Sequence, residues 1–411
     1  MTQSRTERDP LNAAPTETKV ARLSRSLSGT NLARAGDYNL RTVLQAVRLA
    51  PGTTRIAISR QTGLTAPTIA NITGRLVDMG LVRVTGRRQG KRGQPAMQLE
   101  VEPDGAFAIG LNIDRDHLTL VTLDLAGTIR SRVTCEESFA LPEDVLSFVR
   151  SNLEEAILQG DIDRSRILGI GVAIPDDLGR IPLPHRPAAY DRWNDVDLTK
   201  MLAAEWPWPI HCDNDAAAAA LGEAEYGTAY DNPSFFYILI SAGLGGSVVI
   251  DRSYHRGATA RSGELGLMPD PEAGVGAIVQ DTVSLSALTD RLEAAGHPIA
   301  GVDELEHLNA DAMGVVDDWL ADAVRSLTQP LTAVNCLLNP DAVLIGGRLP
   351  MALIERLADE LTRSMSALPL PSQAKIMPAV LAQDGPAVGA AILPFLDALL
   401  PSDAILIQAG R

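Results

Sequence analysis

The sequence has few cysteines and no long uninterrupted apolar stretch. Its 411 residues include three cysteines, Cys135, Cys212 and Cys336, which are far apart and odd in number, so neither a disulfide framework nor a cysteine-rich zinc site is indicated. The longest uncharged run, residues 232–250, is interrupted by proline and glycine, as in two buried strands around a turn. The N-terminus lacks the apolar core of a signal peptide. We therefore expect a cytoplasmic protein without a membrane segment.

Charge is distributed unevenly along the chain. The net charge is −15, yet the first 100 residues contain 16 Lys/Arg against 6 Asp/Glu, whereas the remainder contains 20 against 45. A basic N-terminal part on an acidic body is typical of a protein that binds DNA with one domain and keeps the other away from the phosphates. A solvated basic tail is the alternative interpretation, since several of the arginines precede any clear element.

Residues 54–98 have the pattern of a winged helix-turn-helix. A first helix is predicted over residues 55–62 and ends at Gly63. Thr65 is a good N-cap for a second helix, which ends at Gly80. Three apolar side chains recur on this second helix at the spacing of one inward face: Ile69, Ile72 and Leu76. A strand over residues 81–84 and a flexible, basic, glycine-rich hairpin tip over residues 86–93 follow, with a return strand over 96–101.

Two short helices alone are common packing units, but the basic wing behind them favours DNA binding. Thr68 and Asn71 would reach base edges from the second helix, and Arg75 would reach either a base or a phosphate, with a phosphate the favoured contact. The basic side chains of the wing would hold the DNA backbone or enter the minor groove. The candidate DNA-binding residues are Thr65, Thr68, Asn71, Arg75, Arg87, Arg88, Lys91 and Arg92.

The remaining sequence predicts an α/β body. We expect a mobile tail over residues 1–36, a helix over 38–49 that opens the DNA-binding domain of residues 37–102, and a change of character at residue 103. From there, strands and helices follow in two similar sets. The predicted strands are 107–113, 118–125, 128–134, 167–174, 208–212, 235–240 and 247–251, and the predicted helices are 142–159, 215–226, 284–295 and 310–338. Two such sets indicate an α/β protein with two lobes.

Several short motifs occur in order along this part of the chain. They read KRGQP at 91–95, PDGAFAIG at 103–110, DNDAAAAALGE at 213–223, GLGG at 243–246, RGA at 256–258, GELG at 263–266, NPD at 339–341 and IGG at 345–347. Together they resemble the ROK family, named for its repressors, open reading frames and sugar kinases. The resemblance runs from residue 38 to the C-terminus, and the first of these motifs is similar to the wing of the repressor branch.

The resemblance implies an actin-like body made of two ribonuclease-H-like lobes with a cleft between them. The first lobe would comprise residues 103–230, completed by a C-terminal helix at 385–400, and the second lobe residues 231–384. In the family, the positions of Asn214, Asp215 and Glu264 hold sugar hydroxyls, and their acceptors and donors suit a polyol. The alternative is that Asn214 and Asp215 only cap the alanine-rich helix.

Departures from the family pattern argue against catalysis. The kinases open with Asp-x-Gly-Gly-Thr, whose glycines admit phosphates, whereas here residues 112–116 read NIDRD. Ser241 and Ala242 replace the Gly-Thr of the second loop. We therefore expect no enzyme activity, although Asp215 occupies the position of the family's general base. Leu267 replaces the family's metal-binding histidine and no cysteine cluster follows, so no metal and no other cofactor are expected.

These observations predict a transcriptional regulator, most simply a repressor of carbohydrate genes. It would bind a palindromic operator on double-stranded DNA as a homodimer or tetramer, with a sugar-like effector in the cleft that changes operator affinity. Two alternatives remain: a sugar kinase with an appended DNA-binding domain, and a DNA-bound regulator controlled by a protein partner, with a vestigial sugar site.

Overall fold

The computed structural model describes residues 32–88, 96–176, 178–180, 186–227 and 231–401. The chain divides into two compact units, one formed by Met1–Glu102 with Leu399–Arg411 and the other by Pro103–Ala398. Among the described residues, no helix is both long enough and apolar enough to cross a membrane.

The first unit contains three helices and a three-stranded sheet. The helices are α1 (Leu32–Leu49), α2 (Arg55–Thr62) and α3 (Ala66–Asp78), and the strands are β1 (Thr53–Thr54), β2 (Val82–Arg88) and β3 (Ala96–Val101). The strand order is β1-β3-β2, with both pairs antiparallel. Val43 and Leu44 of α1 pack in the core with Ile58 and Ile69, so the three helices share one apolar centre. The backbone carbonyl of Leu400 accepts a hydrogen bond from Arg41.

Two sequence predictions about this unit are wrong at element ends. Helix α1 begins at Leu32 and not at residue 38, because strong helix formers such as Leu32 and Ala35 continue it backwards through the predicted tail. Strand β2 continues to Arg88, so residues 86–88 are not part of a hairpin tip. A bulge between Val84 and Gly86 allows pairing with β3 to resume beyond it. Residues 1–31 and 89–95 lie outside the described residues, and the second range includes the rest of the tip predicted over residues 86–93.

The second unit contains two five-stranded sheets. The first sheet consists of β4 (Phe107–Ile113), β5 (His117–Asp124), β6 (Ile129–Glu136), β7 (Ile167–Ile174) and β8 (Ile210–Asn214). The second consists of β9 (Phe235–Ile240), β10 (Leu244–Ile250), β11 (Ser253–Tyr254), β12 (Ala342–Gly347) and β13 (Lys375–Pro378). Their orders, β6-β5-β4-β7-β8 and β11-β10-β9-β12-β13, follow the same rule: an antiparallel meander of three strands, then two parallel strands. The unit is therefore a structural duplication, as the resemblance implied.

Helices accompany both sheets. They are α4 (Pro142–Gln159), α5 (Leu198–Ala203), α6 (Asp215–Tyr226), α7 (Val279–Val283), α8 (Leu285–Ala294), α9 (Ala310–Leu338), α10 (Met351–Ser366) and α11 (Gly385–Ala398). The sequence did not predict α5, α7, α10, β11 or β13. It also assigned Gly245 and Gly246 to a turn, whereas both belong to β10 and pair with β9, because the hairpin closes earlier through the Ser241 N–H to Gly243 carbonyl bond of 3.0 Å.

Helix α11 lies directly on the first sheet. At Gly110 of β4 and Gly171 of β7, an added Cβ would collide with the backbone carbonyls of Ala387 and Ala390. On the other side of α11, Gly389 meets the backbone of Ala218 in α6 in the same way. Glycine at these positions lets the helix backbone approach the strands closely. The lobe boundaries themselves remain a prediction.

Candidate DNA-binding face and effector cleft

Local capping fixes the start of α3. The Thr65 side-chain oxygen accepts a hydrogen bond from the Thr68 backbone N–H at 3.4 Å, and the two hydroxyls are 2.8 Å apart. Helix α2 is capped in the same way by Thr54, and it ends at Gly63 with φ of +72°. These caps satisfy backbone groups that have no partner within the helices. They therefore fix the end of α2, the start of α3 and the turn between them.

Helix α3 has one buried and one exposed face. Ile69, Ile72 and Leu76 are buried, which confirms the predicted inward face. Asn71 and Arg75 are exposed, and their side chains form no hydrogen bond or ion pair with other described residues. Thr65 is also exposed, whereas the Thr68 hydroxyl is half-buried and bonded to Thr65, so Thr68 must exchange that bond to reach a base.

One exposed residue of α3 escaped the sequence analysis. Ala70 lies beside Asn71 on the same solvent-facing side. A small apolar side chain there could contact a thymine methyl group, but an alanine in a helix gives no sequence signal of that role. The wing residues are only partly described: Arg87 and Arg88 lie in β2 opposite Met97 and Ala96, while their side chains and all of Lys91 and Arg92 lie outside the described residues.

Asn214 and Asp215 lie where β8 passes into α6. The Asn214 Oδ1 atom accepts a hydrogen bond from the Ala217 N–H at 3.1 Å, and Asp215 Oδ1 accepts one from the Ala216 N–H at 2.8 Å. Both side chains therefore cap α6, as the helix-capping interpretation requires. Their oxygen atoms can still accept further hydrogen bonds. Burial, together with the negative charge of Asp114, raises the pKa of Asp215 to about 7.

A cavity of about 330 Å³ lies beside Asn214. Neither Asp215 nor Glu264 is among its lining residues: Asp215 is buried behind it and Glu264 is half-buried. Two ion pairs lie at its wall, Arg256 with Asp213, and Arg261 Nε with Asp176 Oδ2 at 3.7 Å. Both pairs join a carboxylate from the first-sheet side to an arginine that follows β11, so this cavity is built from both halves of the unit.

A second set of contacts joins the two halves near residues 112–117. Arg348, which directly follows β12, donates from Nη1 to Asp116 Oδ2 at 2.7 Å and from Nη2 to Glu136. His117 Nδ1 lies 2.7 Å from Asp116 Oδ1, and its Nε2 lies 3.1 Å from Asn112 Nδ2. Burial alone would raise the pKa of Asp116, but the bond to His117 and the charges of His117 and Arg348 lower it below its ordinary value. Asp116 is therefore a carboxylate with all its strong contacts inside the protein.

Ligand atoms of Asp114, Asp116 and His117 lie within 4.8 Å of one another and could in principle surround a cation. All three groups already have internal partners, since Asp114 accepts a backbone N–H, Asp116 is bound by Arg348 and both His117 nitrogens are engaged. A cation would have to displace those bonds. The sequence analysis singled out neither this cluster nor Arg348. The partners come together only in the fold, so spacing along the chain gave no signal.

The glycine-rich segment at the start of β10 is also engaged internally. The Leu244 backbone N–H donates to the Gln280 side-chain oxygen at 3.1 Å. Backbone N–H groups in such a loop are the usual donors to phosphate oxygens. Here the Gln280 side chain already accepts the hydrogen bond of one such N–H group.

A winged helix-turn-helix in one chain with a duplicated mixed sheet defines a class: DNA-binding proteins with an actin-like, sugar-kinase-type body. The chain belongs to the ROK family, whose profile matches residues 108–395, and a profile described as winged helix-turn-helix DNA-binding matches residues 37–83.

Individual proteins agree with this assignment. The chain is 27% identical over 366 residues to protein y4fQ of Sinorhizobium fredii, covering 88% of this chain and 91% of that one. It is 25% identical over 352 residues to the xylose repressor of Bacillus subtilis, covering 82% and 89%. A crystal structure of a ROK family transcriptional regulator, described as a homologue of the E. coli MLC protein, superimposes with a TM-score of 0.65 at 21% identity, covering 92% of this chain and all of that one. That likeness concerns the fold.

Proposed function

We propose that this protein is a sequence-specific transcriptional repressor of carbohydrate genes whose operator affinity is changed by a sugar-like effector. The observation that carries the proposal is the free, exposed face of α3 with Asn71 and Arg75, in a unit that matches a DNA-binding profile. The body belongs to the ROK family, and a relative over most of the chain is named a xylose repressor.

On DNA, α3 enters the major groove. Asn71 reads a base edge together with Thr65 and Thr68, and Arg75 contacts a phosphate. The wing arginines Arg87 and Arg88, with Lys91 and Arg92, hold the backbone, which makes affinity fall steeply with salt. One such unit reads few base pairs, so the protein binds a palindrome as a homodimer or tetramer.

The effector occupies the cavity beside Asn214. Asn214 offers its amide to sugar hydroxyls, and Asp215 and Glu264 reach the ligand when the two halves adjust around it. The ion pairs Arg256–Asp213 and Arg261–Asp176 span the same cavity, so a ligand that rearranges them changes the relation between the halves. A ligand acts only through its different affinity for the two arrangements.

Phosphoryl transfer is not part of this function. A kinase needs open backbone donors and a metal clamp for the triphosphate. In this chain, Asp116 and Arg348 bind each other in that region and Gln280 takes the Leu244 N–H. ATP-dependent phosphorylation of a common hexose, lost in Asp215→Asn, would contradict this part of the proposal.

Selection of sheared genomic DNA on the purified full-length protein at near-physiological salt tests the proposal. We expect a few enriched fragments that share a palindrome, and loss of that enrichment with Asn71→Ala. Uniform, salt-sensitive recovery without a motif would contradict sequence-specific regulation.

Thermal unfolding across a sugar panel tests the effector. A stabilising sugar supports the cavity assignment and excludes control by a protein partner alone. Silence across the whole panel would favour the partner-controlled alternative.

A further inference from the structure

The side chain of Arg115 is a buried cation that no other described residue binds. The residue is 8% exposed and follows β4 in the segment that replaces the kinases' phosphate loop. Its Nε atom is buried without a hydrogen-bond partner, and its guanidinium forms no hydrogen bond or ion pair with any other described residue. A guanidinium cannot lose its proton in a protein, so burial without a counter-ion is costly.

The neighbouring acids do not neutralise it by direct contact. Asp114 Oδ1 accepts a hydrogen bond from the Arg115 backbone N–H at 2.7 Å. This bond does not involve the guanidinium of Arg115. Asp116 is held by Arg348 and His117. Asp215 responds to the charge of Arg115, but no ion pair joins the two, and burial raises the pKa of Asp215 to about 7, so this acid carries only part of a negative charge near neutral pH.

The guanidinium lines a cavity of about 480 Å³ between the two halves of the second unit. It passes beside Gly243, where an added Cβ would collide with its Nη1. The second half lines the cavity with apolar side chains, among them Leu285, Ile299 and Val302, and with several polar ones. This volume is that of a small organic ligand, and a lining that combines apolar side chains with a few polar groups is typical of such sites.

The charges around the cavity restrict which anion can enter. Arg348 also lines it, but Asp116 and Glu136 already neutralise that arginine. Asp290 and Glu293 are exposed lining residues of α8 and add negative charge. One free positive charge faces two free negative charges, so a nucleoside triphosphate, with about four negative charges, is repelled far more strongly than an anion with a single carboxylate or phosphate group.

We propose that this cavity binds a small organic anion, a carboxylate or a phosphate monoester, through a bidentate contact with Arg115. The body of the ligand lies on the wall formed by Leu285, Ile299 and Val302, so the ligand bridges both halves. Its site is distinct from the cavity beside Asn214. An effect of this anion on DNA affinity rests on the proposed function. The binding of the anion does not depend on it.

The first test uses three matched probes on the full-length protein at constant ionic strength: benzoate, phenyl phosphate and the neutral benzamide. Isothermal calorimetry should show at least one of the two anions binding about ten-fold or more tighter than benzamide, which also tells carboxylate from phosphate. Arg115→Gln should remove that preference. Arg150→Gln is the matched control, since this exposed arginine pairs with Glu205 away from the cavity. Equal binding of benzamide, tighter binding of ATP, or an unchanged preference in Arg115→Gln would overturn the proposal.

A second test needs no organic ligand. In low-salt buffer without multivalent anions, Arg115→Met should unfold at the same or a higher temperature than the wild type, because it removes an uncompensated buried charge. Adding inorganic phosphate should then raise the unfolding temperature of the wild type more than that of the variant. A markedly destabilised or unfolded Arg115→Met would show that the arginine is satisfied within the fold and would overturn the proposal. Neither test uses DNA, so failure here is distinguishable from failure to find an operator.

Discussion

At the scale of single residues, the burial of Asp215 has consequences beyond ligand binding. The carboxyl group caps α6 from a buried position, and burial with the nearby charge of Asp114 raises its pKa to about 7. The unfolded chain ionises this group near pH 4. Between these two values the folded state holds a proton that the unfolded state has released, so this residue's contribution to stability falls as pH rises towards 7.

Asp215→Asn should remove this pH dependence. The free energy of unfolding of the variant minus that of the wild type should increase from pH 4.5 to pH 7.5 by roughly 2–4 kcal/mol, since each pKa unit is worth about 1.4 kcal/mol. Urea titrations at several pH values measure this difference. Parallel pH profiles for the two proteins would show that the carboxyl group has an ordinary pKa.

Substitutions on the DNA-binding face should have different effects, depending on whether the residue contacts a base or a phosphate. Asn71→Ala should cost about 1–3 kcal/mol on the preferred operator and relax the base preference, because a bidentate amide contact is lost. Arg88→Ala should weaken binding to all DNA sequences alike, and should reduce the slope of log affinity against log salt concentration by about 1. Electrophoretic mobility shifts at several salt concentrations distinguish the two effects. An unchanged preferred site in Asn71→Ala would mean that another face of α3 reads the bases.

At the scale of elements, close packing of α11 on the first sheet depends on glycine. The backbone carbonyl of Ala390 occupies the space that a side chain at Gly171 would need. Because the contact is backbone against backbone, neither partner can yield without moving a helix or a strand.

Gly171→Ala should therefore destabilise the second unit by roughly 2–4 kcal/mol. Gly314→Ala is the matched control: Gly314 lies in α9, and beyond the neighbouring backbone of this helix no described atom lies within 4 Å of an added Cβ, so the same change should stabilise by up to about 1 kcal/mol. Thermal unfolding of both variants measures the contrast. Similar effects of the two changes would argue against the close approach of α11.

At the scale of the whole molecule, charged residues from both sides connect the two halves of the second unit, in addition to the apolar packing of α6 on the second sheet. Arg348, 9% exposed at its side chain, binds Asp116 and Glu136 across the boundary between them. On the other side, Arg256 and Arg261 bind Asp213 and Asp176. Such polar contacts can exchange partners when a ligand enters the cavity between the halves.

Arg348→Ala should loosen this connection. Removing one partner of a largely buried pair leaves Asp116 short of a counter-charge and should cost roughly 1–3 kcal/mol, a range reduced because Glu136 is half-exposed. Arg356→Ala is the control, because this exposed arginine pairs with Asp317 on the surface. Hydrogen exchange should show faster exchange at residues 112–117 in Arg348→Ala alone. Equal exchange in both variants would show that the pair does not hold the halves together.

The local periodicity of the sequence determined much of the architecture. The predicted bounds of Phe107–Ile113, Pro142–Gln159 and Ala310–Leu338 agree with the structure. A helix that buries one face shows apolar residues at helical spacing, and a fully buried strand shows a continuous apolar run, so both are visible among neighbours in the sequence. The inward face of α3 and its cap at Thr65 were predictable for the same reason. Element ends, as at Leu32, were not, because propensity near a helix end is weak.

Tertiary structure alone decided which distant charges meet. Arg348 and Asp116 are 232 positions apart, and no pattern in the chain links them. From the sequence, residues 112–116 indicated only a departure from the kinases' phosphate loop, whereas the fold places the Arg115 side chain at a cavity, where no other described residue binds its guanidinium. Hydrophobic periodicity is a property of neighbours in the chain, but electrostatic partnership depends on distance and burial in space, which only the packed molecule determines.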